Sequence, residues 1–430
     1  MNFKNFSIIL ALFSFELKVF SIPVNDIASD AELNVVDISE SVEWSAGEIS
    51  NIEVVNNEFL TEDPNDDSDA DSNTELETTG VTTEESLDLP CSDVQTCNDW
   101  FKKNKELLTS FGLSVFANDE VIDGLFLKYQ DEKNIENLRK NFETVDYGMK
   151  VDVNGLKMTV DIKGEEHDKT IVILPGLGIA SPIIFYGGLA ETLAKQFKVV
   201  IVEPFGYGTS DLTTKDRTAE NIVSEIHTCL QNLGIDQFYF MGHSIGGIYS
   251  IIYDNTYKNE VLGFIGLDNT PSNIDVYDEE ALPKEYYTIS KIIDKYHLIH
   301  LLPEDQKKIL LEPELTNLNY SEKEVEDLTK IHSYRFYNIN IIEEDELSVD
   351  NIFSTNGMYF HCPLLMFISE ETQTRFLKWK EYHENMINDN PNKELIGEKS
   401  NVIFLEKTTN TYIFAQNKDV ILNEINNFIN

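Results

Sequence analysis

The sequence predicts an α/β fold, a mostly parallel sheet with helices packed on both of its faces, and three observations predict it. Four short, largely apolar runs, Thr170–Leu174, Lys198–Val202, Phe238–Met241 and Val261–Leu267, read as buried strands. Amphipathic stretches at about 187–196, 217–233 and 245–257 separate them. A tight glycine-rich turn, Gly242-His243-Ser244-Ile245-Gly246-Gly247, joins the third strand directly to the third helix. A strand covered on both faces shows no polar alternation, and strands that alternate with helices run parallel.

The chain opens with a segment of another kind. Lys4 precedes the apolar run Ser7–Phe15, and Val19-Phe20-Ser21 suits a signal peptidase, so residues 1–21 read as a signal peptide. Glu16 and Lys18 near the cleavage site leave an uncleaved anchor open. The apolar run is about nine residues, against the ~20 of a spanning helix, so no membrane span is expected beyond the signal peptide. The expected location is the secretory pathway or outside the cell.

Residues 22–95 hold 21 of the 76 acidic side chains and no Lys or Arg. The stretch Thr61–Thr74 has no apolar periodicity to offset the entropy of ordering, so an acidic, disordered segment is expected. Its partner is left open, and in a binding protein such a segment would serve solubility or docking. A net charge of −43 argues against nucleic acid and polyanionic ligands, whose phosphates it would repel. No metal or organic cofactor is expected, because His and Cys do not cluster at ligand spacing and the glycine loops form no dinucleotide fingerprint.

Cys91 and Cys97 enclose five residues where the acidic segment ends, which suits a local disulfide, whereas Cys229 and Cys362 read as small buried side chains. From 96 to 144, Trp100, Phe101, Leu107, Leu108 and Phe111 recur at helical spacing and predict a helical extension packed on the main domain. The main domain begins at 145. Tyr147–Gly155 and Leu156–Ile162 alternate about Asn154-Gly155, a hairpin signal.

The residues that carry chemistry lie in the glycine-rich turn. In a G-x-S-x-G turn, Gly242 and Gly246 keep side chains away from the neighbouring strand and helix, and the strained turn exposes the Ser244 hydroxyl at a helix N-terminus. Some 70 residues earlier, Leu174-Pro-Gly-Leu-Gly178 can turn its backbone toward that serine, so the amides of Leu177 and Ile245 form a candidate oxyanion hole.

Over Val145 to about Pro271 these motifs, with Val202-Glu-Pro-Phe-Gly-Tyr-Gly-Thr-Ser-Asp211 and Arg217–Val223, resemble the α/β-hydrolase superfamily. The resemblance implies an eight-stranded sheet, Ser244 as nucleophile, a cap after the strand ending at Leu267, an acid after strand seven and a histidine after strand eight. Helical, acidic sequence at about 271–357 fits the cap. Strand seven is Pro363–Ile368; the loop after it places Thr372 where the family supplies an Asp, with Glu371 as the candidate acid and Glu370 and Asp268 as alternatives.

The loop from Glu406 to Gln416 contains no histidine, and the position expected to hold one falls near Asn410. An asparagine amide can neither take the serine proton nor return it. His243 should point away from Ser244; His227 sits on a helix, and His167 and His361 at the wrong end of the sheet. His297, His300 and His332 lie in the cap and are candidates to reach down, and His383 reads as an exposed helix residue. Two functions remain. One is a pseudoenzyme that keeps elbow and pocket and acts by binding, a small ester or lipid-like molecule being the expected ligand. The other is an esterase-like serine hydrolase of an ester or small amide with an atypical base.

Overall fold

The computed structural model describes residues 89–273, 282–303, 307 and 317–430. The expected signal peptide, and the acidic segment up to residue 88, lie outside the described residues.

Eight strands form one sheet: β1 (Met149–Val153), β2 (Leu156–Lys163), β3 (Thr170–Leu174), β4 (Lys198–Glu203), β5 (Phe238–His243), β6 (Val261–Leu267), β7 (Leu364–Ser369) and β8 (Asn401–Leu405). Their order is β1-β2-β4-β3-β5-β6-β7-β8. β2 runs antiparallel to β1 and β4, and every other pairing is parallel. The hairpin turns on Asn154 and Gly155, both with positive φ (56° and 89°), the conformation an Asn-Gly pair adopts at little cost.

The period of two along each strand assigns its side chains to two cores. Val172, Val200, Phe240 and Phe264 face one side and pack with Ile222 and Ile226 of one helix (Ala219–Asn232) and Ile248 and Ile252 of another (Gly246–Thr256). Ile171, Ile173, Ile201 and Ile265 face the other side with Leu189, Leu193, Ile421 and Ile425. β3 and β7 are buried along their whole length, while β8 is the half-exposed edge. Among the described residues, no helix is long and apolar enough to cross a membrane.

Between β6 and β7 stand the helices Lys284–Lys295, Glu322–Arg335, Ile339–Glu346 and Ser348–Phe353. Before the sheet, the helices Val94–Lys103, Lys105–Ser110, Asp119–Gln130 and Glu132–Phe142 form the extension. Asp93 caps the first of these, which the Cys91–Cys97 disulfide closes. The extension's aromatic side chains meet the segment between β6 and β7: Phe111 lies against Tyr286 and Phe126 against Tyr296. Cys229 and Cys362 are buried free thiols, and burial pushes the Cys229 thiol up to about 12.

Candidate active site

Ser244 follows β5 with φ +49°, a left-handed backbone that a non-glycine residue adopts only where its surroundings enforce it. The neighbours enforce it by leaving no room. A Cβ on Gly242 would stand 2.8 Å from the Gly246 carbonyl oxygen, backbone against backbone. Gly176 brings the loop after β3 close as well, since a Cβ there would sit 3.3 Å from the Ser244 Cβ, a tight contact. The amides of Leu177, in that loop, and Ile245, which precedes the helix Gly246–Thr256, donate no hydrogen bond among the described residues.

His243 ties these loops together. The Gly176 N–H donates to Tyr186 Oη at 3.4 Å, and that hydroxyl donates to His243 Nδ1 at 2.7 Å. The far nitrogen, Nε2, donates to the Asn410 carbonyl at 3.1 Å. One proton on Nε2 satisfies both contacts, and burial pushes the ring's pKa down to about 4. The ring is therefore a neutral brace between the loops after β3 and β8.

Asn410 lies in the loop after β8, 2 % exposed. Its Nδ2 donates to Asp268 Oδ2 at 2.9 Å and to the Asp268 carbonyl at 3.2 Å. Asp268, at the end of β6, is fully buried, with φ +45°. Oδ1 accepts from the Ser369 amide at 3.1 Å and Trp379 Nε1 at 3.0 Å; Oδ2 accepts from the Ser369 hydroxyl and from Thr372 Oγ1 at 2.6 Å.

The sequence-derived acid, Glu371, takes another place. Its Oε2 accepts from the Asn410 backbone amide at 2.9 Å, and Oε1 lies 3.9 Å from Arg375. Glu371 thus holds the Asn410 loop by its backbone, and the Asn410 side chain turns to Asp268. Thr372, standing where an Asp was expected, donates its hydroxyl to Asp268. The loop after β7 supplies donors, and the carboxylate comes from the neighbouring strand.

The remaining histidines are engaged elsewhere. His383 is fully buried, contrary to the exposed position read from the sequence: Nδ1 faces the Trp379 carbonyl at 2.7 Å and Nε2 the Asn269 carbonyl at 2.9 Å. The helix Trp379–Asn388 turns this face inward because Trp379 itself is drawn to Asp268. His297 and His300 pair through their Nδ1 atoms at 3.3 Å, His300 Nε2 donates to the Phe336 carbonyl, and His332 stacks on Phe336 at 4.7 Å. His361 pairs with Asp254 and His227 with Glu260. Among the described residues, no side chain hydrogen-bonds to Ser244 Oγ, and no group of three or more His, Cys, Asp or Glu side chains is placed to hold a metal ion.

A family model for the α/β hydrolase fold matches residues 169–395. A Bacillus subtilis protein of unknown role, YbdG, is 32 % identical over 142 residues, which are 33 % of this chain and 40 % of that protein. A proline iminopeptidase from Lactobacillus delbrueckii subsp. bulgaricus is 26 % identical over 164 residues, 37 % of this chain and 50 % of the relative. The matched segment therefore spans half or less of each relative. Two solved structures share the fold at low identity. They are an enol-lactonase from Burkholderia xenovorans LB400 (TM-score 0.44, 14 % identity, 65 % of this chain and 99 % of that one) and an esterase from Thermogutta terrifontis (0.47, 13 %, 66 % and 98 %).

Proposed function

Since the chain belongs to the α/β hydrolase fold family, we propose that it is a degenerate serine hydrolase, a pseudoenzyme that binds a small ester or lipid-like ligand at Ser244 with little turnover. The observation that carries this reading is the Asn410 side chain held 2.9 Å from Asp268 in the loop after β8, where the family's resemblance leads one to expect histidine. In this reading Ser244 is the nucleophile position, Asp268 the acid and Asn410 the residue in place of the base. An amide nitrogen has no basic lone pair, so it orients and donates but takes no proton. Losing the general base costs ~10² to 10⁴ in rate, and losing a triad member up to about 10⁶ in kcat. The Leu177 and Ile245 amides remain useful to such a protein, because they would hold a carbonyl oxygen without breaking a bond.

Those same unengaged amides and the strained Ser244 favour a second reading, an active esterase-like hydrolase that takes its base from elsewhere. Passage through the secretory pathway belongs to our proposal under either reading. The Cys91–Cys97 disulfide supports it, since such bonds persist in oxidising compartments.

Hydrolysis of 4-nitrophenyl esters from acetate to decanoate, by the purified chain, by Ser244→Ala, by Asn410→His and by Asn410→His combined with Ser244→Ala, tests the proposal. We expect no turnover in the parent, turnover in Asn410→His, and its loss when Ser244 is also replaced. Parent turnover that disappears in Ser244→Ala alone would establish the second reading.

A further inference from the structure

After residue 21 the chain has a single asparagine that opens an N-x-Ser/Thr sequence, Asn319-Tyr320-Ser321. It lies directly ahead of the helix Glu322–Arg335, in the segment between β6 and β7. That helix is fastened to the domain, with Leu328 and Ile331 buried against Ile184. Its first turn is fixed too. The Ser321 hydroxyl accepts from the Glu324 amide at 3.3 Å, and Glu324 Oε2 accepts from the Ser321 amide at 2.7 Å, a capping box that satisfies two donors of the helix end.

The backbone decides which side chains face water here. Ser321 is extended (φ −70°, ψ 161°), and successive side chains of an extended chain point to opposite sides. Tyr320 is half-buried and packs on the cluster of Ile184, Leu328 and Ile331, whereas Asn319 and Ser321, on either side of it, are exposed. The Asn319 side chain makes no hydrogen bond among the described residues. Open space lies beside it. Asn319 and Ser321 line a hollow of about 760 Å³ together with Gly187 and Gly188, and a Cβ on Gly188 would meet no atom within 4 Å.

We propose that Asn319 is an N-glycosylation site that carries one oligosaccharide. This rests on the passage through the secretory pathway proposed above, because the donor, an oligosaccharide linked to a lipid pyrophosphate, is met there. In the transfer, Asn319 Nδ2 bonds to the anomeric carbon of the first sugar. The bond from that carbon to the pyrophosphate oxygen breaks, and the lipid pyrophosphate leaves with the electron pair. The amide gives up one proton to a base of the transferase, and nothing is oxidised or reduced. Ser321 supplies the hydroxyl that the transferase reads two residues on. Transfer before folding leaves the capping box free to close afterwards, and the folded chain then holds the sugar in solvent without breaking a hydrogen bond of Asn319.

The test expresses the full chain in a eukaryotic secretory cell line in two forms, with its own N-terminus and with residues 1–21 replaced by a host signal peptide. Each form is made as parent, Asn319→Gln and Ser321→Thr. Gel mobility is compared before and after peptide N-glycosidase F, and mass spectrometry reads the conversion of Asn319 to aspartate that this enzyme leaves. The expected result is a retarded band in the parent and in Ser321→Thr, restored by the enzyme and absent from Asn319→Gln. If the parent with its own N-terminus reaches the medium without the shift, the glycosylation site is overturned and secretion stands. If that form stays in the cytosol while the host-signal form is shifted, secretion fails and the proposal fails with it, since the native protein never meets the donor. A host-signal parent without the shift overturns the site whatever the native N-terminus does.

Discussion

Asn410 gives its side-chain amide to Asp268 at 2.9 Å, across the gap between the loops after β8 and β6. The bond completes a shell of five donors around one fully buried carboxylate: the Ser369 amide and hydroxyl, Thr372 Oγ1, Trp379 Nε1 and Asn410 Nδ2. Three loops are joined at that point, so the shell is as much a fastening of the fold as a part of the site.

Asp268→Asn should therefore be costly at nearly constant volume. One oxygen becomes an NH₂ group pointed at donors, leaving buried N–H and O–H groups unpaired. We expect a loss of about 3 kcal/mol in unfolding free energy, read from urea denaturation with an unchanged slope. A loss below about 1 kcal/mol would mean that the loops re-pair around the amide.

His243 makes stability depend on pH in a stated direction. Burial lowers its pKa from 6.5 to about 4, so the folded chain resists binding a proton that the unfolded chain accepts. Its contribution is fully present above pH 6.5 and is lost as pH falls from there to about 4, amounting to about 3 kcal/mol across the window. His243→Gln removes this titration. The difference in unfolding free energy between parent and variant should shrink by about 3 kcal/mol between pH 7 and pH 4. A constant difference would show that His243 titrates alike in both states.

Arg217, fully buried, donates to both carboxylate oxygens of Glu225, at 3.2 and 2.9 Å, and its charge also favours the ionised form of Glu344. Burial pushes both of those carboxyls up, and the guanidinium opposes it. Arg217→Met should cost about 3–5 kcal/mol, because two buried acids lose their counter-charge. Adding Glu225→Met should recover part of that loss, and a double-mutant cycle on thermal or urea unfolding measures how much. Strictly additive losses would mean that the pair contributes no coupling.

The architecture was legible in the sequence because its determinants are local. Apolar runs marked the strands, Asn154-Gly155 marked the hairpin, and Gly242 and Gly246 marked the turn that lifts Ser244, each read from neighbours a few residues apart. The lack of any histidine after His383 was equally plain. Which carboxylate meets Asn410 was not. Glu371 follows the strand that the family's pattern points to, yet the choice depends on how side chains from three loops converge at one edge of the sheet, and there the hydroxyls of Ser369 and Thr372 draw Asp268 inward. The burial of His383 was hidden for a similar reason, since the face that a short amphipathic helix turns inward is set by the partner waiting there, here Asp268 for Trp379. The extension showed its helices but not their target. An apolar stripe records that a face will be buried; only the assembled chain, by bringing Tyr286 and Tyr296 alongside, decided that the cap buries it.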